Sequence, residues 1–415
     1  MSVFNLQEEV GLELVDETFR EGIERSIVPI PTKDKLQLLL KLIHSGVKSF
    51  VLGIGPSDMS LLKECVSLQE AGEIPGDVKF IYIVLLNVWE TTVQNLEAMF
   101  TKEQIGKVVI SLGMVCYRSE ENLFSKVLVE LEAIGMVRES ARISILNSFE
   151  LSGALTEKAY QRIAEQIVVA KALGIKTVRI NDSTGKLNPD DVTCLFTRLH
   201  QQFNDIHFCL HTHNDNGLSL INMMKSIEGG CRIVEGSLAG YGNRSGISDI
   251  YLLARMLIQL GYDIGDIDLP LLHQVTIEAE QIFLLVPSVY RSGSGLYEKS
   301  VTSGVLNIPD YLGDPTEDRT YSICADSLHP KTIISALEVV GESDEVINDL
   351  ATNDERMNAA ITALDLEFKL RAHSHEIRYK KWYDEMIEMF FSNTMTPKDV
   401  SMIIAALKFN NRLIA

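Results

Sequence analysis

The sequence predicts an α/β fold, a TIM (β/α)8 barrel followed by a C-terminal helical domain, and three observations predict it. Short runs rich in Val, Ile and Leu alternate with longer amphipathic stretches, the rhythm of parallel strands joined by helical crossovers. The runs start roughly 25 to 35 residues apart, enough for one strand, one helix and two short loops. Eight units in roughly 250 residues are the number and size of a TIM barrel, whereas a doubly wound sheet usually has fewer strands and a glycine-rich first turn. The nearest match to such a turn, Gly53-Ile-Gly55, lacks the third glycine and follows the second run.

Strands are expected at Leu12 to Asp16, Val47 to Gly53, Val78 to Leu86, Lys107 to Gly113, Arg142 to Asn147, Lys176 to Asn181, Ile206 to His211 and Cys231 to Ser237. Between them, Lys33 to His44 and Glu157 to Leu173 repeat apolar residues at helical spacing. The rhythm stops near Asp263. A Ser/Gly-rich stretch, Arg291 to Gly304, then precedes Pro309 and Pro315, and helices are expected over Lys331 to Val340, Asp354 to Phe391 and Pro397 to Asn410. The expected organisation is a barrel over 1–265, a linker or lid over 266–330 and a helical domain over 331–415.

The 415 residues are 46% apolar, enough for a large core, and 38 Lys and Arg stand against 57 Asp and Glu. A net charge of −19 disfavours nucleic acid, although a cleft can be locally basic on an acidic surface. No apolar stretch reaches the roughly 18 residues of a membrane span, and the first residues do not read as a signal peptide. A soluble, cytoplasmic protein without a membrane partner is expected. Cys65, Cys116, Cys194, Cys209, Cys231 and Cys324 are far apart and mostly within apolar runs, which suits buried free thiols better than disulfides or a zinc ribbon.

Chemistry-bearing residues gather at strand ends, the face on which a barrel keeps its active site. Asp16-Glu17-Thr18-Phe19-Arg20-Glu21-Gly22 ends the first strand; alone, it is equally a solvated loop. His211-Thr212-His213 ends the seventh. Side chains two apart on a strand share a face, so both imidazoles can meet one divalent ion, and the first strand is close enough for Glu21 to complete a two-imidazole, one-carboxylate site. His373 and His375 lie in a helical context, where residues two apart diverge, and read as surface histidines. Asn181-Asp182-Ser183-Thr184-Gly185 and Ser148-Phe149-Glu150 end the sixth and fifth strands, with Glu150 the nearest extra carboxylate for acid or base work. After the eighth strand, Gly240-Tyr241-Gly242-Asn243-Arg244-Ser245-Gly246-Ile247 is a glycine-rich turn before a helix, which suits an anion with Arg244 adding charge; a plain tight turn is the other reading.

DETFREG, DSTG, HTHND and GNRSGI stand in the order and near the spacing of the DRE-TIM metallolyase (HMGL-like) family. Over about Leu12 to Gly304 the chain resembles homocitrate, isopropylmalate and citramalate synthases and HMG-CoA lyase, most of all the homocitrate synthase branch. The resemblance implies a divalent metal (Zn, Mn or Mg) on Glu21, His211 and His213, Arg20 contacting a 2-oxo acid, Ser183 helping to hold its carboxylate, and an acyl-CoA, probably acetyl-CoA, as co-substrate. It also implies a homodimer, with the post-barrel stretch as a swapped lid and the helices after Pro330 as the dimer surface, a self-contained helical cap being the alternative. Trp382, Tyr383, Met386, Met389 and Phe390 crowd an otherwise charged helix, which suits an interface and equally an intradomain core. Departures stand beside the resemblance. Ser300 to Leu306 has neither histidine of the synthases' post-barrel segment, Val51 replaces an acidic residue, Glu24 a glutamine and Leu151 an aspartate. These keep two alternatives open: a metal-dependent lyase or aldolase acting on a 2-hydroxy acid, and a non-catalytic binding protein on an inherited barrel.

Overall fold

Eight apolar runs pair edge to edge until no edge remains. A computed structural model of the chain describes residues 11–24, 26, 29–115, 121–145, 154–283, 300–301, 320–321, 328, 330–392 and 395–409. Its strands are β1 (Glu13–Asp16), β2 (Ser49–Ile54), β3 (Lys79–Leu85), β4 (Val108–Val115), β5 (Arg142–Ile145), β6 (Thr177–Asp182), β7 (His207–Thr212) and β8 (Ile233–Gly236). They form a closed parallel barrel in sequence order, with Asp16 of β1 opposite Gly236 of β8. The expected TIM barrel is therefore the fold, and closure leaves no exposed strand edge.

The crossovers are α1 (Thr32–His44), α2 (Ser60–Glu70), α3 (Trp89–Met99), the short α4 (Lys102–Ile105), α5 (Glu121–Ala133), α6 (Glu157–Ala172), α7 (Pro189–Gln202), α8 (Ser219–Glu228) and, after β8, α9 (Ile250–Gln259). Local chemistry starts them where they start. Thr156 accepts a hydrogen bond from the Ala159 N–H ahead of α6, and Asn188 caps α7 with Pro189 in its first turn. Each buries one stripe, as Leu38, Leu39 and Leu42 do on α1, against the outward faces of the strands.

The inside of the barrel is divided. Towards β1, β2 and β3 it is apolar, with Val15, Val51, Ile81 and Ile83 in one small cluster. Buried polar residues line it chiefly from β5 to β8, Arg142, Ser144, Arg179, Asn181, His211 and Glu235, with Ser49 of β2 and Ser111 of β4 also buried. The layers of a barrel interior are normally branched aliphatics, so a polar wall needs partners for every charge.

The first compact unit runs on to Leu285, past the position 265 at which the barrel was expected to end. The added element is α10 (Leu269–Ile282), whose Leu272, Val275, Thr276 and Ala279 are buried and which packs on α1 and α9. The strand rhythm ends before it because α9 leads to α10 with no strand between them, so the sequence period carries no sign that another helix still belongs to the barrel.

The second unit, from Val286, contains a two-stranded parallel pair, β9 (Ser300–Val301) and β10 (Thr320–Tyr321), and the expected helices as α11 (Pro330–Val339), α13 (Asp354–Ser392) and α14 (Pro397–Phe409), with a further helix not expected, α12 (Asp344–Thr352), between the first two. Consecutive helices α11, α12 and α13 pack on one another, with Ile333 and Met357 buried. Trp382, Tyr383 and Met389 on α13 are exposed and Met386 is half-buried; the Phe390 side chain and most of the Arg291 to Gly304 stretch lie outside the described residues. Among the described residues no helix is long and apolar enough to cross a membrane. Cys65, Cys209 and Cys231 are buried and free as expected, while Cys194 is free but exposed; Cys116 and Cys324 lie outside the described residues.

Candidate metal centre

The chain leaves β1 through a tight π-helical turn, Thr18–Gly22, whose five residues are all buried. Asp16 anchors it: its carboxylate accepts from the Thr18 N–H (3.1 Å) and hydroxyl (2.7 Å), and the Thr18 hydroxyl oxygen accepts from the Leu238 N–H after β8. Such turns are uncommon and gather at functional sites. This one turns Arg20 and Glu21 inward over the barrel mouth instead of out to solvent.

Glu21 then faces the two histidines of β7. Its Oε2 lies 4.0 Å from His211 Nε2 and its Oε1 3.8 Å from His213 Nε2. One ligand atom from each of the three lies within 4.8 Å of the others, a spacing at which a single cation can reach all of them. His213 Nδ1 is buried and has no hydrogen-bond partner among the described residues. Two imidazoles and one carboxylate fit a divalent transition-type ion, and the donor set is compatible with Zn or Mn.

Local electrostatics keep these ligands in the forms a metal needs. Burial works to raise the Glu21 carboxyl, but the Arg20 guanidinium, His211 and a hydrogen bond from the Asn243 N–H (2.8 Å) overrule it and hold it at about 2. Burial, helped by the cation of Arg179, pushes His211 down to about 3, so its ring is neutral at physiological pH. His213 is lowered too, again chiefly by burial. Gly242 is required beside Glu21: a Cβ there would lie 2.8 Å from the Glu21 Cγ. Gly185, at φ +61°, lets the loop after β6 pass the His213 carbonyl, which a Cβ would meet at 2.6 Å.

A second group of possible ligands, Glu17, His211 and Glu235, is equally tight, but its centre is served by a cation of the protein itself. The Arg179 guanidinium donates to Glu235 (2.7–3.0 Å) and to Glu17 Oε1 (2.6 Å). Arg142 adds a bond to Glu235 Oε1 at 3.1 Å. Sequence reasoning missed Arg142, Arg179 and Glu235. The available signal was a lone charge of each sign within apolar strands, Val178-Arg179-Ile180 and Val234-Glu235-Gly236.

The remaining expected residues distribute as follows. Arg20 is buried, donating from Nε to Glu17 Oε2 at 2.7 Å and from Nη1 to Glu21. Ser183 is half-buried at the rim after β6, and its carbonyl accepts from Arg244. Arg244, expected to add charge for an anion, donates its guanidinium to Asp215 (2.8 and 2.9 Å) and to that carbonyl. It sits at φ +56°, unusual for a side-chain-bearing residue, and ties three loops of the mouth together. Glu24, exposed at the rim, accepts from the Asn243 side chain, and Val51 belongs to the apolar wall. Glu150 and Leu151 lie outside the described residues.

Residues 11–281 match the family model described as HMGL-like. Curated relatives include a homocitrate synthase of Sulfolobus acidocaldarius, 25% identical over 71% of this chain and 63% of its own length. A 2-isopropylmalate synthase of Buchnera aphidicola is 24% identical over 56% of this chain and 44% of its own length. The chain thus spans roughly half to two thirds of the length of these relatives. Among solved structures, an HMG-CoA lyase of Acinetobacter baumannii in complex with coenzyme A and 3-methylmalate superposes with a TM-score of 0.54 at 18% identity, covering 68% of this chain and 95% of that one. The carboxyl transferase domain of Rhizobium etli pyruvate carboxylase with pyruvate gives 0.52 at 16% identity over 68% of this chain and 49% of that one. At such identities the structural likeness speaks to the fold.

Proposed function

Because the chain belongs to the HMGL-like family, we propose that it is a divalent-metal-dependent enzyme that condenses an acyl-CoA, acetyl-CoA being the simplest donor, with a 2-oxo acid in the manner of a homocitrate synthase. The observation that carries this reading is the convergence of Glu21, His211 and His213 beside a buried arginine at the barrel mouth. The names of the curated relatives, and the coenzyme A bound by the HMG-CoA lyase, support the substrate classes.

Glu21, His211 and His213 hold the ion, which when bound supplies electrophilic activation of a carbonyl. Arg20, kept in place by Glu17, presents its guanidinium to the 2-oxo acid and stabilises negative charge developing on the carbonyl oxygen. Ser183, at the rim, helps to receive the carboxylate. Glu150 serves the proton transfers. The α-carbon of the acyl-CoA loses a proton, its electron pair forms the new bond to the keto carbon, and the alkoxide is protonated. Water then cleaves the thioester, so one CoA thiol is released for each 2-hydroxy acid formed. The test is thiol release over a matrix of 2-oxo acids and acyl-CoA thioesters with Zn, Mn or Mg. Condensation predicts thiol release that depends on both substrates.

A lyase or aldolase remains the second reading, favoured by the absence of both histidines from Ser300 to Leu306. It predicts release of pyruvate or glyoxylate from a 2-hydroxy acid and no thiol release in the condensation assay. A protein that binds these compounds without turning any over would be the non-catalytic alternative.

The reading extends to a cytoplasmic homodimer. Its support is the exposure of Trp382, Tyr383 and Met389 on one long helix, since aromatic and Met side chains are enriched at interface cores. Sedimentation equilibrium is expected to give twice the chain mass of 46.3 kDa. Replacing Trp382 and Tyr383 by serine should shift it towards monomer.

A further inference from the structure

Buried charges just after β1 and on β6, β7 and β8 form a continuous hydrogen-bonded line from the arginine of the site to one of its histidines. Arg20 Nε donates to Glu17 Oε2 at 2.7 Å. The other oxygen of Glu17 accepts from Arg179 Nη2 at 2.6 Å. Arg179 also grips Glu235 through Nε and Nη2 at 2.7–3.0 Å. Glu235 Oε2 lies 2.9 Å from His211 Nδ1. Glu17, Arg179 and Glu235 are all at least nine-tenths buried, and none of them is among the three ligand candidates facing the mouth.

Charges taken this far from water are costly unless each finds a partner in good geometry. A barrel interior could be filled with branched aliphatics instead, as the wall of Val15, Val51, Ile81 and Ile83 is. What the ionic line does that aliphatics cannot is aim hydrogen-bonding atoms. An ionised carboxylate only accepts, so the ring atom 2.9 Å from Glu235 must be the one that carries the proton. Nε2 is then left with its lone pair, directed at the Glu21 side of the site.

We infer that Glu235 is a positioning residue: clamped by Arg179 and Arg142, it fixes His211 as the Nδ1–H tautomer with Nε2 free to bind a cation. Arg179 is the shared brace, because the same guanidinium also holds Glu17, which orients Arg20. The cation site and the substrate arginine are thereby set by one rigid unit. A carboxylate behind a ligating histidine raises its basicity and fixes its ring, and its loss typically weakens metal binding about 10- to 100-fold.

The inference builds on the metal reading, and the experiment separates the two. In metal-free full-length protein labelled with 15N-histidine, the ring nitrogens of His211, assigned by comparison with His211→Gln, are expected to show a protonated Nδ1 and an unprotonated Nε2. A protonated Nε2 with a bare Nδ1 overturns the inference without any metal being present. In Glu235→Gln the tautomer preference should be lost and the affinity for Zn, measured by chelator competition, should fall about 10- to 100-fold, with the circular dichroism spectrum unchanged. Arg179→Lys, which keeps the charge but not the two-pronged grip, should fall between wild type and Glu235→Gln. A folded Glu235→Gln protein with wild-type tautomer and affinity overturns the inference. If wild type binds no divalent ion the metal reading falls, and the wild-type spectrum still decides the tautomer by itself.

Discussion

Replacing His211 and His213 together by alanine is expected to strip the protein of bound divalent metal while leaving the barrel folded. Each imidazole presents a ring nitrogen 3.8–4.0 Å from the same carboxylate, and both rings are held neutral by burial, so neither has to shed a proton to bind. Removing two of three protein ligands leaves Glu21 alone against water, and affinity should fall on the order of 10³-fold or more. The fold should survive because the change lies at the mouth of the barrel, whereas the outer core is built from the aliphatic faces of strands and helices. Metal analysis after gel filtration, with circular dichroism as the control, makes the comparison. Stoichiometric metal in the double variant would remove Glu21, His211 and His213 as the binding site.

The second large effect is expected at Arg20. Substitution by lysine keeps one positive charge but loses the planar fork, which here points Nε at Glu17 and Nη1 at Glu21. A lysine ammonium that stays with those carboxylates has no second arm left for a substrate oxygen. Turnover should drop by about 10²- to 10³-fold, the loss usual when a preorganised donor to developing negative charge is removed, about 3–4 kcal/mol. Metal content should be unaffected, since Arg20 is not a ligand. A lysine variant with near-normal turnover would limit the arginine to bracing Glu17.

These two expectations differ in how much of their basis was legible in the sequence. The pair His211 and His213 is readable because a strand alternates its side chains strictly, so residues two apart share a face whatever the rest of the fold does. Glu21 is readable for a weaker reason: it ends the first expected strand, and barrel closure brings that strand within one neighbour of the seventh. The barrel itself follows from strand spacing, since helical crossovers between parallel strands have a narrow range of lengths. The boundary at Leu285 was not legible, because α10 carries an ordinary amphipathic pattern and only its packing on α1 and α9 assigns it to the barrel.

The ionic line behind the site belongs to tertiary structure alone. Arg179 and Glu17 are 162 residues apart, and Arg179 and Glu235 are 56 apart. In one dimension Arg179 and Glu235 are each a single charge in an apolar run, equally suited to an outward face, and Glu17 is one of several charges in DETFREG. Likewise, Arg244 carries a charge that the sequence offers to an anion, and only the folded loops bring Asp215 and the Ser183 carbonyl to it. By itself the sequence determined the eight βα units and which residue types stand at the strand ends, because both follow from local periodicity. Which charges face inward, and which of them neutralise one another, was decided only when the sheet closed: burial makes an unpaired charge too costly to keep, and the partners are supplied by strands distant in the chain.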